Sequence, residues 1–390
     1  MTVSLNHLGD LARKRVAVAA YYFVPGVLFA SWASRIPDVK QVLHLSNGQL
    51  GSVLFAIPIG QLLMMAFSGV LVSKFGSKRM LALSEILYAL VLFCIGSSAT
   101  VFNLILSLVA FGMMANLMNI ATNTQACLVE KMYGRNIMSS FHGLWSLGGF
   151  SGGIIGAVFA NTLLPIEVHF GAILAMSLLI IAIGFRYLVD DATAKAEEEH
   201  VPKFSFKTID PILFLLGLMG FAGMFCEGTV YDWSSVYFSS VVKPDEAFIR
   251  AGYVAGMGAM TLGRFMADGF VTKYGPARVL KVCGGLILGG LWMAAALPYL
   301  IPATLGFLLV GFGISSSVPI CYSIAGKLGT IKASIAITIV SSISFFGFLV
   351  GPPVIGWLAE ATGLRIAISI AACLGLMIAF VAAKVGKRLS

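Results

Sequence analysis

The sequence predicts an all-α protein that crosses a membrane many times; its composition, its hydropathy and an internal repeat carry this prediction. Of the 390 residues, 58% are hydrophobic and 11% are charged, whereas soluble domains have about 45–50% apolar and about 25% charged residues. Apolar runs of about 20 residues, long enough to cross a bilayer as helices, follow one another along the chain. We therefore expect a lipid bilayer around most of the protein.

Twelve of these runs are predicted to span the membrane. The longest polar break, "DDATAKAEEEHVPKFSFKTID", falls between the sixth and the seventh span. It divides the chain into a first six-helix bundle at 1–189, a cytoplasmic linker at 190–209 and a second six-helix bundle at 210–390. The predicted spans are 16–35, 48–72, 80–99, 101–126, 137–160, 169–189, 210–238, 248–271, 278–299, 302–325, 333–357 and 363–384.

The basic residues predict the orientation of the chain. Twenty of the 26 Lys and Arg residues fall on one side of the predicted spans, and the side rich in Lys and Arg is the cytoplasmic one. Both termini are then cytoplasmic, and the protein is a multi-pass protein of the inner membrane. The net charge of +9 follows from this topology, so it indicates no nucleic-acid partner.

Three short stretches of the first half reappear in the second half, each about 200 residues later. "SWAS" at 31–34 resembles "DWSS" at 232–235, and "SKFG" at 73–76 resembles "TKYG" at 272–275. "GFSGGIIGAVFA" at 149–160 resembles "GFLVGPPVIGWLA" at 347–359. Three matches in the same order predict a duplicated six-helix unit, and parallel repeats around a cavity at the membrane midplane are a known transporter plan.

The loop after the second span resembles the signature loop of the major facilitator superfamily. In "GVLVSKFGSKR", the signature positions are Gly69, Lys74, Gly76, Lys78 and Arg79, while Ser73 replaces the usual acid. The resemblance implies two pseudo-symmetric six-helix bundles, and a loop that acts as a cytoplasmic gate latch with its counterpart around Lys273, Gly275 and Arg278. The missing acid departs from the latch ion pair of the family.

Two further stretches resemble the fucose-permease-like branch of that superfamily and related bacterial inner-membrane proteins: "GRFMADGFVTKYG" in the eighth span and "GFLVGPPVIGWLA" in the eleventh. The sugar-permease pattern places acids in the first and fourth spans, where this chain has none, so that proton site is not carried over. The fifth span, "HGLWSLGGFSGGIIGA", lacks the Pro of the drug-exporter motif, which disfavours efflux.

Four acids lie inside predicted spans, where a charge costs roughly 2.5–3.5 kcal/mol near the bilayer centre: Glu85, Glu227, Asp232 and Asp268. Glu227 lies near the middle of an otherwise apolar span. A carboxyl in a desolvated cavity holds a proton more readily than one in water. Glu227 is therefore the first proton-coupling candidate, followed by Asp232, nearer the outside, and His142. The alternative is a Glu227 that only bonds to a neighbouring helix.

Arg264 and Asp268 are four residues apart, hence on one face of a helix. Such a pair neutralises its own charge, and we expect it to have a structural or gating role rather than to contact substrate. Glu85, close to the cytoplasmic end of the third span, is expected to be structural.

The remaining candidates are polar and aromatic residues that can line a substrate cavity. In "NLMNIATN" three amides form one helical stripe, which suits sugar hydroxyls but equally suits contacts between helices. His142 and Trp145 share one face of the fifth span, and Ser316 lies beside Pro319, which interrupts the tenth. The substrate-cavity candidates are Asn116, Asn119, Asn123, Trp145, Tyr231, Trp233 and Ser316.

Motifs for enzymes are missing from the sequence: there is no P-loop, no H-E-x-x-H and no G-x-S-x-G. The six Cys residues stand singly, so neither a metal site nor a cofactor is expected. Two functions stay open. One is a proton-coupled carrier that moves a small polar solute, such as a sugar, as a monomer; the other is an exporter of amphipathic compounds, favoured by the aromatic residues around the seventh span.

Overall fold

The computed structural model describes the backbone of residues 5–134, 137–162, 164–191, 210–328 and 333–389. Within these ranges the chain is almost entirely α-helical and contains no strand. Most of the predicted linker, residues 192–209, lies outside the described residues. The helices are α1 (Leu5–Val42), α2 (Asn47–Leu54), α3 (Ala56–Phe75), α4 (Ser77–Gly96), α5 (Val101–Tyr133), α6 (Met138–Asn161), α7 (Ile166–Phe185), α8 (Pro211–Tyr237), α9 (Ala251–Tyr274), α10 (Pro276–Ala296), α11 (Leu300–Lys327), α12 (Ala333–Thr362) and α13 (Leu364–Leu389).

Eleven helical segments of the described chain are long and apolar enough to cross a membrane, with α2 and α3 together counting as one of them. The twelfth is α9, whose 24 residues have the required length but include Arg264 and Asp268. The prediction of an all-α protein with twelve transmembrane helices is therefore confirmed. Each helix satisfies its own backbone hydrogen bonds, as a segment surrounded by lipid requires.

The helices form two compact units: the first contains α1 and α3–α7, and the second contains α2 and α8–α13. This division differs from the predicted bundles at residues 44–55, which group with the second unit. The predicted span 48–72 is broken at Phe55, between α2 and α3. Pro58, which has no N–H, cannot donate the helical hydrogen bond to the carbonyl of Leu54, and this weakens the helix at that turn.

The backbone of helix α2 packs directly against the backbone of α12. A Cβ atom on Gly51 would lie 2.9 Å from the carbonyl oxygen of Pro352 and from Cα of Gly356, so only glycine fits there. The backbone N–H of Gly48 donates to the Glu360 carboxylate at 3.0 Å. Small residues that let two helices approach closely are the usual means of packing within membranes.

The first unit uses the same device where α1 crosses α6. A Cβ atom on Gly26 would lie 2.2 Å from the carbonyl oxygen of Trp145, and one on Gly148 would lie 2.2 Å from that of Phe23. The two helices therefore approach at backbone distance. This contact fixes the side chains that neighbour it, among them Tyr22 and His142.

Candidate functional site

The second unit contains a buried ion pair between α8 and α9. Arg264 donates from Nη2 to Oε1 of Glu227 at 3.2 Å, and the Tyr231 hydroxyl donates to the same oxygen at 3.2 Å. Tyr231 reaches it because residues four apart share a helix face. The Arg264 side chain is 26% exposed and that of Glu227 is 10% exposed. We refer to Glu227, Arg264 and Tyr231 as the Glu–Arg–Tyr cluster.

The partner of Glu227 was missed by the sequence analysis, which paired Arg264 with Asp268. Taking a carboxylate and a guanidinium out of water costs several kcal/mol per ion, and their mutual attraction offsets that cost. The sequence did mark Arg264 as a basic residue well inside a predicted span, away from both of its ends. The structure brings it to Glu227, the first proton-coupling candidate; the side chain of Asp268 lies outside the described residues.

Asp232 lies five residues after Glu227, about 140° further around the helix, and belongs to another environment. Although Asp232 was predicted to lie nearer the outside, it is buried, with 5% of its surface exposed. Its carboxyl interacts electrostatically with Tyr253 of α9, a completely buried side chain. Trp233 is also completely buried, as is Trp32 at the equivalent position of the first repeat.

The first unit contains a cluster of polar side chains, which we call the Tyr–Asn–His cluster: Tyr22, Asn119, Asn123 and His142. The Tyr22 hydroxyl of α1 donates to Oδ1 of Asn123 at 2.6 Å, and Nδ2 of Asn123 donates to Oδ1 of Asn119 at 2.9 Å. The His142 ring lies edge-on to the Tyr22 ring at 5.3 Å between centroids. Asn119 and His142 are exposed, whereas Tyr22 is buried.

Three other cavity candidates do not join this cluster. Asn116 accepts a hydrogen bond from Ser68 of α3 at 2.7 Å, which is a contact between packed helices. Trp145 contacts Phe29 at 6.5 Å between ring centroids. Ser316 of α11, in the second unit, is 5% exposed and lies 3.1 Å from the Ser315 hydroxyl. The predicted amide stripe is therefore divided, with Asn119 and Asn123 in the cluster and Asn116 in a helix contact.

The signature loop turns at Gly76, whose φ of 84° favours glycine, and α4 begins directly after it. The first amides of a helix have no partner within the helix, and the positive end of the helix dipole favours an anion there. The Asp191 carboxylate fills this place: it accepts from the N–H of Ser77 at 3.0 Å and of Lys78 at 3.4 Å. Gln125 adds a 2.7 Å bond to the Ser77 hydroxyl.

The acid missing at Ser73 is thus matched by an acid from a distant part of the chain. The basic residues of the loop lie around it without an ion pair to this acid. Lys74 lies 5.4 Å from the ring centroid of Phe75, Lys78 lies 5.0 Å from that of Phe185, and Arg79 is exposed. No heavy atom would contact a Cβ on Gly69 within 4 Å. The gating role of the loop stays a prediction.

Two further polar groups of the first unit are buried. Arg35, the last residue of the first predicted span, belongs to α1 and is 4% exposed; it donates from Nε to Nδ1 of His169 at 3.3 Å and contacts Asp38 at 3.1 Å. The spacing of Arg35 and Asp38, three residues apart, is the sequence signal that indicates this pair. Glu85 is completely buried, with no hydrogen bond to either carboxylate oxygen.

Within the described part of the chain, no group of three or more His, Cys, Asp or Glu residues is arranged to hold a metal ion. The clusters consist of hydrogen-bond donors and acceptors, and one of them also contains an ion pair. Such groups can form hydrogen bonds to a polar solute. They offer no activated nucleophile next to a general base.

Comparisons with known proteins agree with the fold. The profile of the Major Facilitator Superfamily matches residues 18–331. An uncharacterised MFS-type transporter of Yersinia pestis is 31% identical over 374 residues, which cover 95% of this chain and 94% of the relative. An uncharacterised transporter of Sinorhizobium fredii is 32% identical over 368 residues, 94% of this chain and 96% of the relative.

Among solved structures, the nucleoside transporter NupG superimposes with a TM-score of 0.75 at 14% identity, over 95% of this chain and 98% of NupG. At this identity the likeness shows the fold alone. The predicted transporter, rather than an enzyme, is confirmed, whereas the fucose-permease-like branch stays a prediction. The protein is a multi-pass membrane transporter for small-molecule solutes, and its chain belongs to the Major Facilitator Superfamily.

Proposed function

We propose that this transporter moves a small polar solute by alternating access and couples the movement to protons through Glu227. The Glu–Arg–Tyr cluster carries this proposal. An ion pair buried in an apolar helix bundle is costly to keep unless it has a use. Protonation of Glu227 removes one of the two charges of the ion pair and weakens the hydrogen bonds that Glu227 accepts from Arg264 and Tyr231. The second unit then has two states that differ in charge.

The Tyr–Asn–His cluster supports a polar solute. Amide, phenol and imidazole groups donate and accept hydrogen bonds without a fixed charge, and hydroxyl groups of a solute need such partners. Asn119 and His142 are exposed enough to be reached. Asn123 holds Asn119 through a hydrogen bond, and the Tyr22 ring contacts the His142 ring.

The aromatic residues that favour an exporter of amphipathic compounds are mostly buried. Tyr231, Trp233 and Tyr237 are at most 2% exposed, and Phe225 is 6% exposed. Rings that pack within the unit do not offer an apolar binding surface. Their burial supports the carrier over the exporter.

Replacement of Glu227 by Gln tests the coupling. Gln has the shape of the protonated acid and cannot release a proton, so the variant should bind solute but lose accumulation driven by a pH gradient. Uptake into proteoliposomes measures this, with solutes screened on the parent protein. Exchange across the membrane needs no net proton movement and should continue.

Glu246→Gln, the same change at an exposed position, is the matched control and should accumulate solute like the parent. If Glu227→Gln also accumulates solute against its gradient, Glu227 is not the coupling residue. Asp232 and His142 would then be the remaining candidates.

We further propose that the protein lies in the inner membrane as a monomer, with both termini in the cytoplasm. The asymmetric distribution of Lys and Arg supports this orientation. Lys243→Cys and Lys281→Cys, both at exposed positions, should react from opposite sides with a membrane-impermeant thiol reagent. The exposed native residues Cys94, Cys127 and Cys373 are first replaced by Ser. Labelling of both sites from outside would contradict the topology.

A further inference from the structure

We propose that Asp232, Ser235 and Tyr253 bind a small monovalent metal cation, for which sodium is the probe. The three residues belong to the second unit, two of them to α8 and one to α9. We refer to them as the Asp–Ser–Tyr site. The inference goes beyond the coupling proposed for Glu227, because it assigns a further ligand to a different part of α8.

The first observation is an acid without a cation. Glu227 pairs with Arg264, whereas Asp232 forms neither an ion pair nor a hydrogen bond with any described residue. Arg250, directly before α9, is also buried and has a partner other than Asp232. A carboxylate away from water costs several kcal/mol unless an opposite charge offsets it. A bound cation supplies that charge.

The second observation is a pair of hydroxyl groups near this acid. Ser235 Oγ and the Tyr253 hydroxyl are buried and have no hydrogen-bond partner. Tyr253 interacts electrostatically with Asp232 without donating a hydrogen bond to it. Buried hydroxyl groups are rarely left unbonded, and each exception requires an explanation. Oxygen atoms of carboxylate and hydroxyl groups are the ligands that hard cations prefer.

The helical periodicity brings the three groups to the same face of α8. Successive residues are about 100° apart around a helix, so Ser235 lies about 40° from Tyr231 and about 60° from Asp232, between the two. The Tyr253 ring lies 6.3 Å from the Tyr231 ring between centroids, and Tyr253 also interacts with Asp232. Tyr253 of α9 therefore covers the face of α8 on which Ser235 lies.

Access and charge limit the ligand to a small monovalent ion. Asp232 keeps 5% of its surface exposed, whereas both carboxylate oxygens of Glu85 are sealed from solvent. Such a small exposure admits an ion rather than an organic cation. A divalent ion such as Ca²⁺ usually has several carboxylate ligands, and the described residues contain no group of three or more His, Cys, Asp or Glu residues that could hold one. One carboxylate balances one positive charge.

The first repeat lacks this combination of groups. Ser31 occupies the position equivalent to Asp232, and Ser34 occupies the position equivalent to Ser235. Neither residue is charged, and the Ser34 hydroxyl donates to the carbonyl oxygen of Ser31 at 2.9 Å. At this point of the duplicated helix, the charge that a cation requires is therefore present in the second repeat and not in the first.

The test measures thermal stabilisation of the purified, detergent-solubilised protein in sodium chloride and in choline chloride, at equal ionic strength and fixed pH. A ligand of the folded state raises the melting temperature by mass action, so the melting temperature should rise with the sodium concentration and reach a plateau. Fixed pH keeps this test independent of the proton coupling. Equal melting temperatures in the two salts would overturn the proposal. Stability that changes with pH but not with sodium would assign a proton to Asp232 instead and would also overturn it.

Three variants locate the site. Asp232→Asn keeps the shape of the side chain, removes the charge and should abolish the effect of sodium. Ser235→Ala should weaken sodium binding at least about tenfold, as the loss of a group that supports a metal site does. Ser234→Ala is the matched control and should bind sodium like the parent, because the buried Ser234 hydroxyl already donates to the carbonyl oxygen of Val230.

The serine variants decide the assignment even where Asp232→Asn fails to fold. If Ser235→Ala and Ser234→Ala bind sodium with equal affinity, the assignment to the Asp–Ser–Tyr site is overturned. A sodium effect that persists in folded Asp232→Asn overturns it as well.

Discussion

The two units of this transporter place different chemistry at equivalent points of a duplicated helix. The match of "SWAS" with "DWSS" aligns Tyr22 with Gly223 and Gly26 with Glu227. In α1 the aromatic residue comes first and the glycine that contacts α6 follows one turn later. In α8 the glycine comes first, where a Cβ would lie 2.6 Å from the Ser317 hydroxyl, and the ionisable residue follows.

In α1 the glycine of the close helix contact follows Tyr22 by one turn, whereas in α8 the glycine precedes Glu227 by one turn. Where α1 approaches its neighbour at backbone distance, α8 has room for Glu227 and its partner Arg264. Both units thus retain the duplicated helices, but the side chains at equivalent positions differ in chemistry. The Tyr–Asn–His cluster of the first unit consists of hydrogen-bonding groups, whereas the Glu–Arg–Tyr cluster of the second unit contains an ion pair between two helices.

The largest effect on stability is expected when a side chain is added at Gly26. In Gly26→Ala the new Cβ would lie 2.2 Å from the carbonyl oxygen of Trp145, so the α1 and α6 backbones have to separate. We expect a loss of about 3 kcal/mol, the upper end of overpacking costs in cores. Unfolding in mixed detergent with a denaturing detergent measures it.

Gly289→Ala is the control, because no atom lies within 4 Å of its Cβ position. Alanine is the better helix former, so this variant should be as stable as the parent or slightly more stable. Equal stability of Gly26→Ala and Gly289→Ala would show that the α1–α6 contact tolerates a side chain.

A second prediction concerns the ion pair at the equivalent turn of α8. Arg264→Ala leaves the Glu227 carboxylate without its cation and should lower the free energy of unfolding by about 2 kcal/mol. Removal of one partner of a fully buried pair costs about 3–5 kcal/mol, and the 26% exposure of Arg264 reduces this. The same unfolding assay applies.

Adding Glu227→Gln to Arg264→Ala should recover most of that stability, since it removes the Glu227 carboxylate that lost its cation. A double variant as unstable as Arg264→Ala would mean that Arg264 acts through packing rather than through the ion pair.

The smallest expected effect concerns the helix starts that follow Gly76 and Gly275, both with positive φ. Helix α10 begins with Pro276, which has no N–H to satisfy, whereas α4 begins with amides bound by Asp191. Asp191→Ala should cost about 1 kcal/mol, as the loss of a helix cap does. Asp191→Asn keeps an acceptor oxygen and should cost less. Equal losses in the two variants would argue against the helix cap.

Much of the fold was predictable because lipid imposes simple requirements. Apolar length gave the twelve spans, and the duplicated stretches gave the two-fold plan. The break at Phe55 escaped the hydropathy pattern, since residues 48–72 are apolar on both sides of it. Pro58 is the local sequence signal for this break, whereas the packing partner of α2 is α12, which lies in the second half of the sequence.

The sequence indicated which residues belong to the candidate site, but it did not indicate which of them contact each other. Glu227 and Arg264 each stood out as charges in apolar helices, yet their pairing depends on which faces of α8 and α9 meet. Helix packing decides that, and periodicity within one helix carries no information about it. Likewise, Asp191 reaches the start of α4 from 114 residues away, and no spacing rule links the two.

The pairing of α2 with α12 has a consequence for the order in which the protein can be completed. Gly48 and Glu360 are 312 residues apart, and a ribosome adds about 5–20 residues per second. Helix α2 has eight residues, too few to cross a bilayer alone, and its partner surface is synthesised among the last. A nascent chain thus carries an unmatched glycine face through most of its synthesis. Fragments cut at the central linker would separate α2 from the surface it covers, so the linker does not mark the boundary between two self-sufficient halves.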